Sequence, residues 1–265
     1  MAQGRGPVKT AVITGGAGGL GRALAKRLLG DGWHVALLDL PGKELDSAGA
    51  LGVEVTPYPC DLTDEQAVRR ACAEIAAARS SVDLVIYNAG ITQIGLFAEM
   101  ETETHRKVFE VNYFGAVHVA AGLLDAVRAS RGAHLAVSSV AGFAPLHRRS
   151  AYSASKHALE GFFRTLASEE RPHGVVVHIA APSFVATNLG NPDSRPGGIA
   201  RPGSAVDGID YMDADEAARI ILDGVRKGRA MIPVGRVARL AWWINRLAPG
   251  LYVRLMERNI SEGRD

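Results

Sequence analysis

Tyr152 and Lys156 stand four residues apart in Tyr152-Ser153-Ala154-Ser155-Lys156, a spacing that puts both on one face of a helix. A phenol titrates near about 10 in water, too high for an efficient base at neutral pH. A neighbouring ammonium favours the phenolate and lowers that value. Far upstream lies the turn Thr14-Gly15-Gly16-Ala17-Gly18-Gly19-Leu20-Gly21. Glycines there permit torsions that side chains forbid and let the backbone approach a pyrophosphate closely. A helix beginning at the same place offers unpaired N–H groups and a positive dipole end to the phosphates. A proton-transfer pair and a dinucleotide entrance in one chain point to chemistry on an alcohol or a carbonyl.

The elements that must position these groups follow from periodicity. Thr10–Ile13 is an apolar run that breaks at glycine, as a buried parallel strand does. Leu20 to Leu29 has helical spacing and stops at Gly30 and Gly32. Strands are expected over His34–Leu38, Val53–Tyr58, Asp83–Tyr87, His134–Ser138 and Val175–Ala180. Helices are expected over Asp64–Arg79, Thr102–Ser130 and Tyr152–Glu169. This alternation implies βαβ units: an α/β, doubly wound parallel sheet of Rossmann type with helices on both faces. With 265 residues, it forms a single domain. Residues 190–210, rich in Gly, Pro, Asp, Ser and Arg, read as a substrate-lid loop, a role compatible with a disordered surface loop.

Asp39 closes the second strand, eighteen residues past Gly21. A carboxylate there accepts hydrogen bonds from both ribose hydroxyls of NAD and repels the extra phosphate of NADP. Leu40 follows it where an NADP binder often carries Arg, and the glycine turn holds no basic residue. NAD is therefore the expected cofactor and NADP the weaker reading. Asp61 ends the third strand, where it serves either the cofactor or the N-cap of the next helix. Asn88-Ala89-Gly90 ends the fourth.

These residues together resemble the short-chain dehydrogenase/reductase family over roughly Lys9 to Leu189. Thr14-Gly15-x-x-x-Gly19-x-Gly21 matches its cofactor motif. Asn88-Ala89-Gly90 matches its Asn-Asn-Ala-Gly box, with Tyr87 in place of the first Asn and local repacking expected around it. Pro182-Ser183-Phe184-Val185-Ala186-Thr187 matches its Pro-Gly segment, with Ser183 at the glycine position. The resemblance implies cofactor contacts at Gly15, Gly19, Leu20, Gly21, Asp39, Asp61, Leu62, Asn88, Ala89, Gly90, Tyr152, Lys156, Pro182, Val185 and Thr187, the last two on the nicotinamide carboxamide. It implies a catalytic set of Asn112, Ser139, Tyr152 and Lys156. Tyr152 is then the general acid/base and Lys156 its tuner. Ser139, thirteen residues before Tyr152, orients the reacting oxygen, ahead of its neighbour Ser138. Asn112 anchors a relay water. Each residue alone has an ordinary structural explanation, such as a cap, a turn or a snorkelling surface pair, but all four at family spacing point to catalysis.

The substrate pocket is expected to draw on Ser139, Tyr152, Phe143 and Phe184, with Ile91, Ile94, Leu146 and His147. This mostly apolar set suits a secondary alcohol or ketone with a hydrophobic body. The alternatives are an NADPH-dependent carbonyl reductase and a non-catalytic NAD-binding regulatory or scaffold protein. No metal site is expected, since Cys60 and Cys72 have no ligand spacing and two cysteines make no disulfide framework.

Hydrophobic content of 47% and charged content of 22% are ordinary for a globular protein, and a net charge of +2 gives no reason to invoke nucleic acid. The charge is uneven. Val225 to Asp265 carries nine basic and three acidic residues, a balance of +6 that leaves −4 elsewhere. Residues 236–265 alternate apolar and basic residues, among them Trp242, Trp243, Leu247, Leu251, Tyr252 and Leu255. Packing over the domain or at a subunit interface is the first reading and peripheral membrane contact the second. The helix of Tyr152 carries Ala158, Leu159, Phe162, Phe163 and Leu166, more apolar surface than one sheet contact needs. With the resemblance, this predicts a homodimer or homotetramer. Met1–Thr10 has no apolar leader segment and no run reaches membrane-spanning length, so a reducing cytoplasm is expected.

Overall fold

The inner strands of the central layer are short runs rich in Val, Ile, Leu and Ala and are buried, whereas the edge strand that ends at Pro59 reads Val-Thr-Pro-Tyr-Pro and is partly exposed. A computed structural model describes residues 8–79, 81–188, 196–203 and 211–262. The strands are β1 (Thr10–Thr14), β2 (His34–Asp39), β3 (Val55–Pro59), β4 (Leu84–Tyr87), β5 (Thr92–Gln93), β6 (Ala133–Val137), β7 (Val176–Pro182), β8 (Ile199–Ala200) and β9 (Met231–Val234). The helices are α1 (Gly19–Gly30), α2 (Lys43–Gly49), α3 (Glu65–Ala78), α4 (Thr102–Phe109), α5 (Gly115–Ser130), α6 (Ser150–Glu170), α7 (Ala214–Arg226), α8 (Arg236–Leu247) and α9 (Pro249–Glu262). The main sheet has the order β3-β2-β1-β4-β6-β7-β9, all parallel. Strand order reverses beside β1, which opens a crevice at the carboxyl ends of β1 and β4, where doubly wound sheets bind ligands.

The expected elements are present with ends moved by one or two residues. Helix α2 and strand β5 are additions to the expected set, and three further findings differ from expectation. The long helix over 102–130 is α4 and α5 joined by a π-helical turn at Glu110–Phe114. The fold continues beyond β7 with α7, β9, α8 and α9, of which the sequence reading had only an amphipathic tail. The apolar signal for α7 was there: Ala217, Ala218, Ile221 and Leu222 follow helical spacing and are buried. Of the expected lid, residues 196–203 are described. Within them β8 pairs antiparallel with β5 and is buried, so this stretch is packed structure. The rest of 190–210 lies outside the described residues.

Two apolar layers hold the sheet, one on each face. Phe163, Leu159 and Leu166 of α6 are buried in the layer that also contains α3 and α5. The surplus apolar surface expected on α6 is thus largely spent on the core. On this side of the molecule, Phe114 of the π turn stays exposed. Cys60 and Cys72 are free and buried.

Tyr87, the departure from the family box, points into this same layer. Its ring lies 4.6 Å from that of Phe163, and its hydroxyl is 2.7 Å from His134 Nδ1. The repacking is local and lies away from the cofactor crevice. Burial pushes the His134 imidazole down to about 4, with Glu170 opposing. An unfolded imidazole titrates near 6.5. The folded state therefore binds its proton less readily. The stabilisation from a neutral His134 is full above 6.5 and is lost as pH falls toward 4, up to roughly 3 kcal/mol. Urea denaturation of the wild type is expected to weaken across that window, and the Tyr87→Phe/His134→Leu pair to lose much of the slope. An unchanged slope in the pair would assign the acid sensitivity elsewhere.

Candidate active site

The glycine turn links β1 to α1 and is held by Gly15 N–H donating to the Leu38 carbonyl at 2.8 Å. Gly15 has φ +64, and a Cβ there would lie 2.8 Å from Ala89 Cα. A Cβ on Gly21 would meet the Gly15 carbonyl oxygen at 2.2 Å. Gly21 is buried and does not face the crevice. Its role is to let α1 sit against the turn, which corrects the expected cofactor contact. Asn88 secures the other wall: its Nδ2 donates to the carbonyls of Thr14 and Gly15, at 3.2 and 3.0 Å.

Asp39 ends β2 with its carboxylate pinned on the turn. Oδ2 accepts from Ala17 N–H at 2.9 Å and Oδ1 from Leu40 N–H at 2.8 Å. Burial raises its pKa, and these two hydrogen bonds pull it back. One lone pair on each oxygen is left for hydroxyl donors. Two basic residues share this end of the crevice. Lys43 belongs to α2, and Arg201 follows β8 and reaches Glu44 at 3.2 Å. Asp61 keeps Oδ1 for the N–H and hydroxyl of Thr63. The cap of α3 is Asp64, which leaves Asp61 and Leu62 on the crevice wall.

Ser139, Tyr152 and Lys156 converge past the end of β6. The Ser139 hydroxyl faces Tyr152 and accepts from Ala141 N–H at 3.2 Å. Ser138, the lower-ranked candidate, donates to Glu160 at 2.9 Å and is thereby occupied. Burial raises the Tyr152 pKa, while the Ser139 hydrogen bond and the Arg149 charge pull it down. Lys156 was expected to do that. Its ammonium instead donates to the Val137 carbonyl at 2.9 Å and lies 5.8 Å from the Tyr152 ring centroid. Burial lowers Lys156 itself to about 8.

Asn112 also differs from expectation. The π turn aims its amide at Ile91, accepting from the N–H at 2.8 Å and donating to the carbonyl at 2.9 Å. The second amide proton goes to Ser155 at 2.9 Å. Its side chain clamps the segment after β4 to α6, so both amide protons are spent within the protein. π-Helical turns concentrate at functional sites. Thr187 is likewise engaged, donating to the Pro202 carbonyl at 3.0 Å, which takes its hydroxyl proton from the expected carboxamide contact. Ser183 adopts an ordinary negative φ, so the missing family glycine brings no strain. Val185 bridges Met212 and, with Pro182, faces the crevice.

Asp39, Asp61, Ser139, Tyr152 and Lys156 line one cavity of about 1740 Å³. That exceeds the roughly 300–1,000 Å³ of an ordinary small-molecule site and leaves room for a dinucleotide and a second molecule. Gly15, Gly19, Leu20, Ala89 and Gly90 border it. Ile91, Ile94, Leu146, His147 and Phe184 also line it. Phe143 does not line it; its carbonyl accepts from Asn245 of α8 at 2.6 Å. Sequence reasoning missed two contributors. Arg149, three residues before Tyr152, is only 5% exposed and lines the cavity. Helices α8 and α9 supply an apolar wall through Val237, Ala241, Ile244, Tyr252 and Met256. Their alternating pattern signalled an amphipathic segment but not what its inner face covers.

A family model described as short chain dehydrogenase matches residues 9–196. The Bos taurus protein named dehydrogenase/reductase SDR family member 7B is 34% identical over 263 residues, covering 92% of this chain and 79% of its own. A short chain dehydrogenase from Burkholderia cenocepacia, solved in complex with NADP, superposes with a TM-score of 0.80 at 24% identity, over 94% of this chain and 98% of that one. An alcohol dehydrogenase from Thermococcus sibiricus, complexed with 5-hydroxy-NADP, gives a TM-score of 0.72 at 25% identity, over 83% and 91%.

Proposed function

The chain belongs to the short-chain dehydrogenase/reductase family of NAD(P)-dependent oxidoreductases, and we propose that it interconverts a secondary alcohol and a ketone with an apolar body, using NAD. The observation that carries this reading is the Ser139–Tyr152 hydroxyl pair opening into the same cavity as the glycine turn and Asp39. Bound there, a nicotinamide supplies or accepts the hydride.

The chain's own residues do the rest. Ser139 donates to the substrate oxygen and fixes it beside Tyr152. In reduction Tyr152 gives its proton to that oxygen; in oxidation it takes the proton back. Arg149 favours the phenolate left behind, and Lys156, buried and held on the Val137 carbonyl, would hold ribose hydroxyls. Asn112 keeps Ile91 and Ser155 in place around it. Val237, Ala241 and Ile244 offer the substrate body a dry wall, which favours apolar over charged alcohols.

Asp39 supports NAD. With its carboxylate fixed toward the ribose end, the extra phosphate of NADP meets a like charge. Asp39→Ala is expected to shift the ratio of kcat/KM for NADP over NAD by roughly 10²-fold toward NADP. A wild type that turns over NADP faster, or a ratio that stays put in the variant, would overturn the NAD assignment and leave the hydride chemistry intact. That second reading is favoured by Lys43 and Arg201 at the same end of the cavity and by the NADP analogue in the Thermococcus sibiricus enzyme.

A further inference from the structure

Five of the exposed large apolar side chains among the described residues lie on α8 and α9. Leu240, Trp243 and Leu247 recur on one stripe of α8 and are 63%, 56% and 76% exposed. Leu251 and Leu255 continue the apolar surface along α9, also exposed. Around this ridge stand Arg236, Arg239, Arg246, Arg254 and Arg258, all exposed. Glu257 is the one acidic side chain described on these two helices. Arg246 lies over the Trp242 ring at 5.3 Å. Isolated exposed leucines are ordinary, but a contiguous apolar ridge marks an interaction site.

The ridge is also continuous with the cavity. Leu240 and Leu255 belong both to the exposed stripe and to the cavity wall. Val237, Ala241 and Ile244, one stripe round on α8, face inward. Among the described residues no helix is long and apolar enough to cross a membrane. Two amphipathic helices of 12 and 14 residues with Trp, Leu and Arg on the outside suit an interface-lying geometry.

We propose that α8 and α9 dock this protein on the surface of an anionic lipid bilayer, with Leu240, Trp243, Leu247 and Leu251 entering the headgroup region and the flanking arginines meeting lipid phosphates. The occupant follows from charge: an apolar ridge edged by arginines matches a surface that is apolar beneath and anionic above. Docked this way, the cavity opens toward the lipid through Leu240 and Leu255, so that an amphiphilic alcohol or ketone passes to Tyr152 without crossing water. This route rests on the proposed function; the docking itself does not.

The test is sedimentation of the full chain with vesicles of phosphatidylcholine, alone or mixed with phosphatidylglycerol, beside gel filtration without lipid. The wild type is expected to pellet with the mixed vesicles, less with phosphatidylcholine alone, and less as salt rises. The Trp243→Glu/Leu247→Glu variant, altered at two exposed positions outside the cavity, is expected to lose binding by about tenfold or more. Arg246→Gln and Arg254→Gln should each lose about fivefold on mixed vesicles. Unchanged circular dichroism would confirm that the double variant folds. Absence of binding to the mixed vesicles, or equal binding by the double variant, overturns the proposal. So does a wild-type oligomer that the double variant converts to monomer without any vesicle binding, which would assign the ridge to a second copy. Absence of turnover on any alcohol would sink the enzymatic reading and leave the vesicle result standing.

Discussion

Tyr152→Phe is expected to lower kcat by about 10²- to 10⁴-fold, the range that a positioned general acid/base contributes. The substitution removes one oxygen and leaves the ring, so packing in α6 changes little. Cofactor affinity should stay within about twofold, because the lost hydroxyl faces Ser139 rather than the glycine turn. Reduced-cofactor absorbance with a panel of apolar secondary alcohols, alongside cofactor binding by fluorescence, reads both quantities. Near-normal kcat in the variant would remove Tyr152 from its role. A loss of cofactor binding equal to the loss of turnover would make Tyr152 a structural residue.

Gly21→Ala is expected to damage binding and stability together. In an open helix, alanine in place of glycine gains about 1 kcal/mol. Here the new Cβ would lie 2.2 Å from the Gly15 carbonyl oxygen and 2.9 Å from Gly16 Cα. Both are backbone atoms, so no rotamer relieves the overlap; α1 or the turn must shift. Overpacking of this kind costs roughly 1–3 kcal/mol, which outweighs the gain. The melting temperature should fall by a few degrees, about 2–4 °C per kcal/mol in a chain of this size. Cofactor affinity should fall by about tenfold or more, because the displaced turn is the one that meets the pyrophosphate. Gly161→Ala is the control. It lies on exposed α6 surface with nothing within 4 Å of the added Cβ, and should raise the melting temperature slightly. A Gly21→Ala protein as stable as the wild type, binding cofactor equally well, would refute the packing argument.

Much of the site was legible in the chain because its signals are local. Tyr152 and Lys156 share one helix, so their spacing alone puts them on one face. The glycine turn, Asp39 and Asn88-Ala89-Gly90 each end an apolar run, and parallel strands carry their ligand groups at those ends. Strand and helix alternation followed from runs and periods within single elements. Asn112 shows the limit: its place in the motif was readable, but the π turn that aims its amide at Ile91 and Ser155 was not.

Periodicity reports that a face is buried and is silent about what covers it. The partner of Lys156, the Val137 carbonyl, comes from packing α6 on β6. Arg149 is a surface-type residue in sequence, and only its position beneath the cavity makes its charge act on Tyr152. Arg201 stands 162 positions beyond Asp39 in the chain, yet the β5–β8 pairing brings it to the cofactor end and reopens the choice between NAD and NADP. Tyr87 departs from the family box in sequence and finds its partner, His134, across the sheet. The 236–265 segment announced an amphipathic helix. That one of its faces closes the cavity while the adjoining stripe stays bare was decided by where β9 delivers α8, a long-range outcome of layer packing that no local pattern encodes.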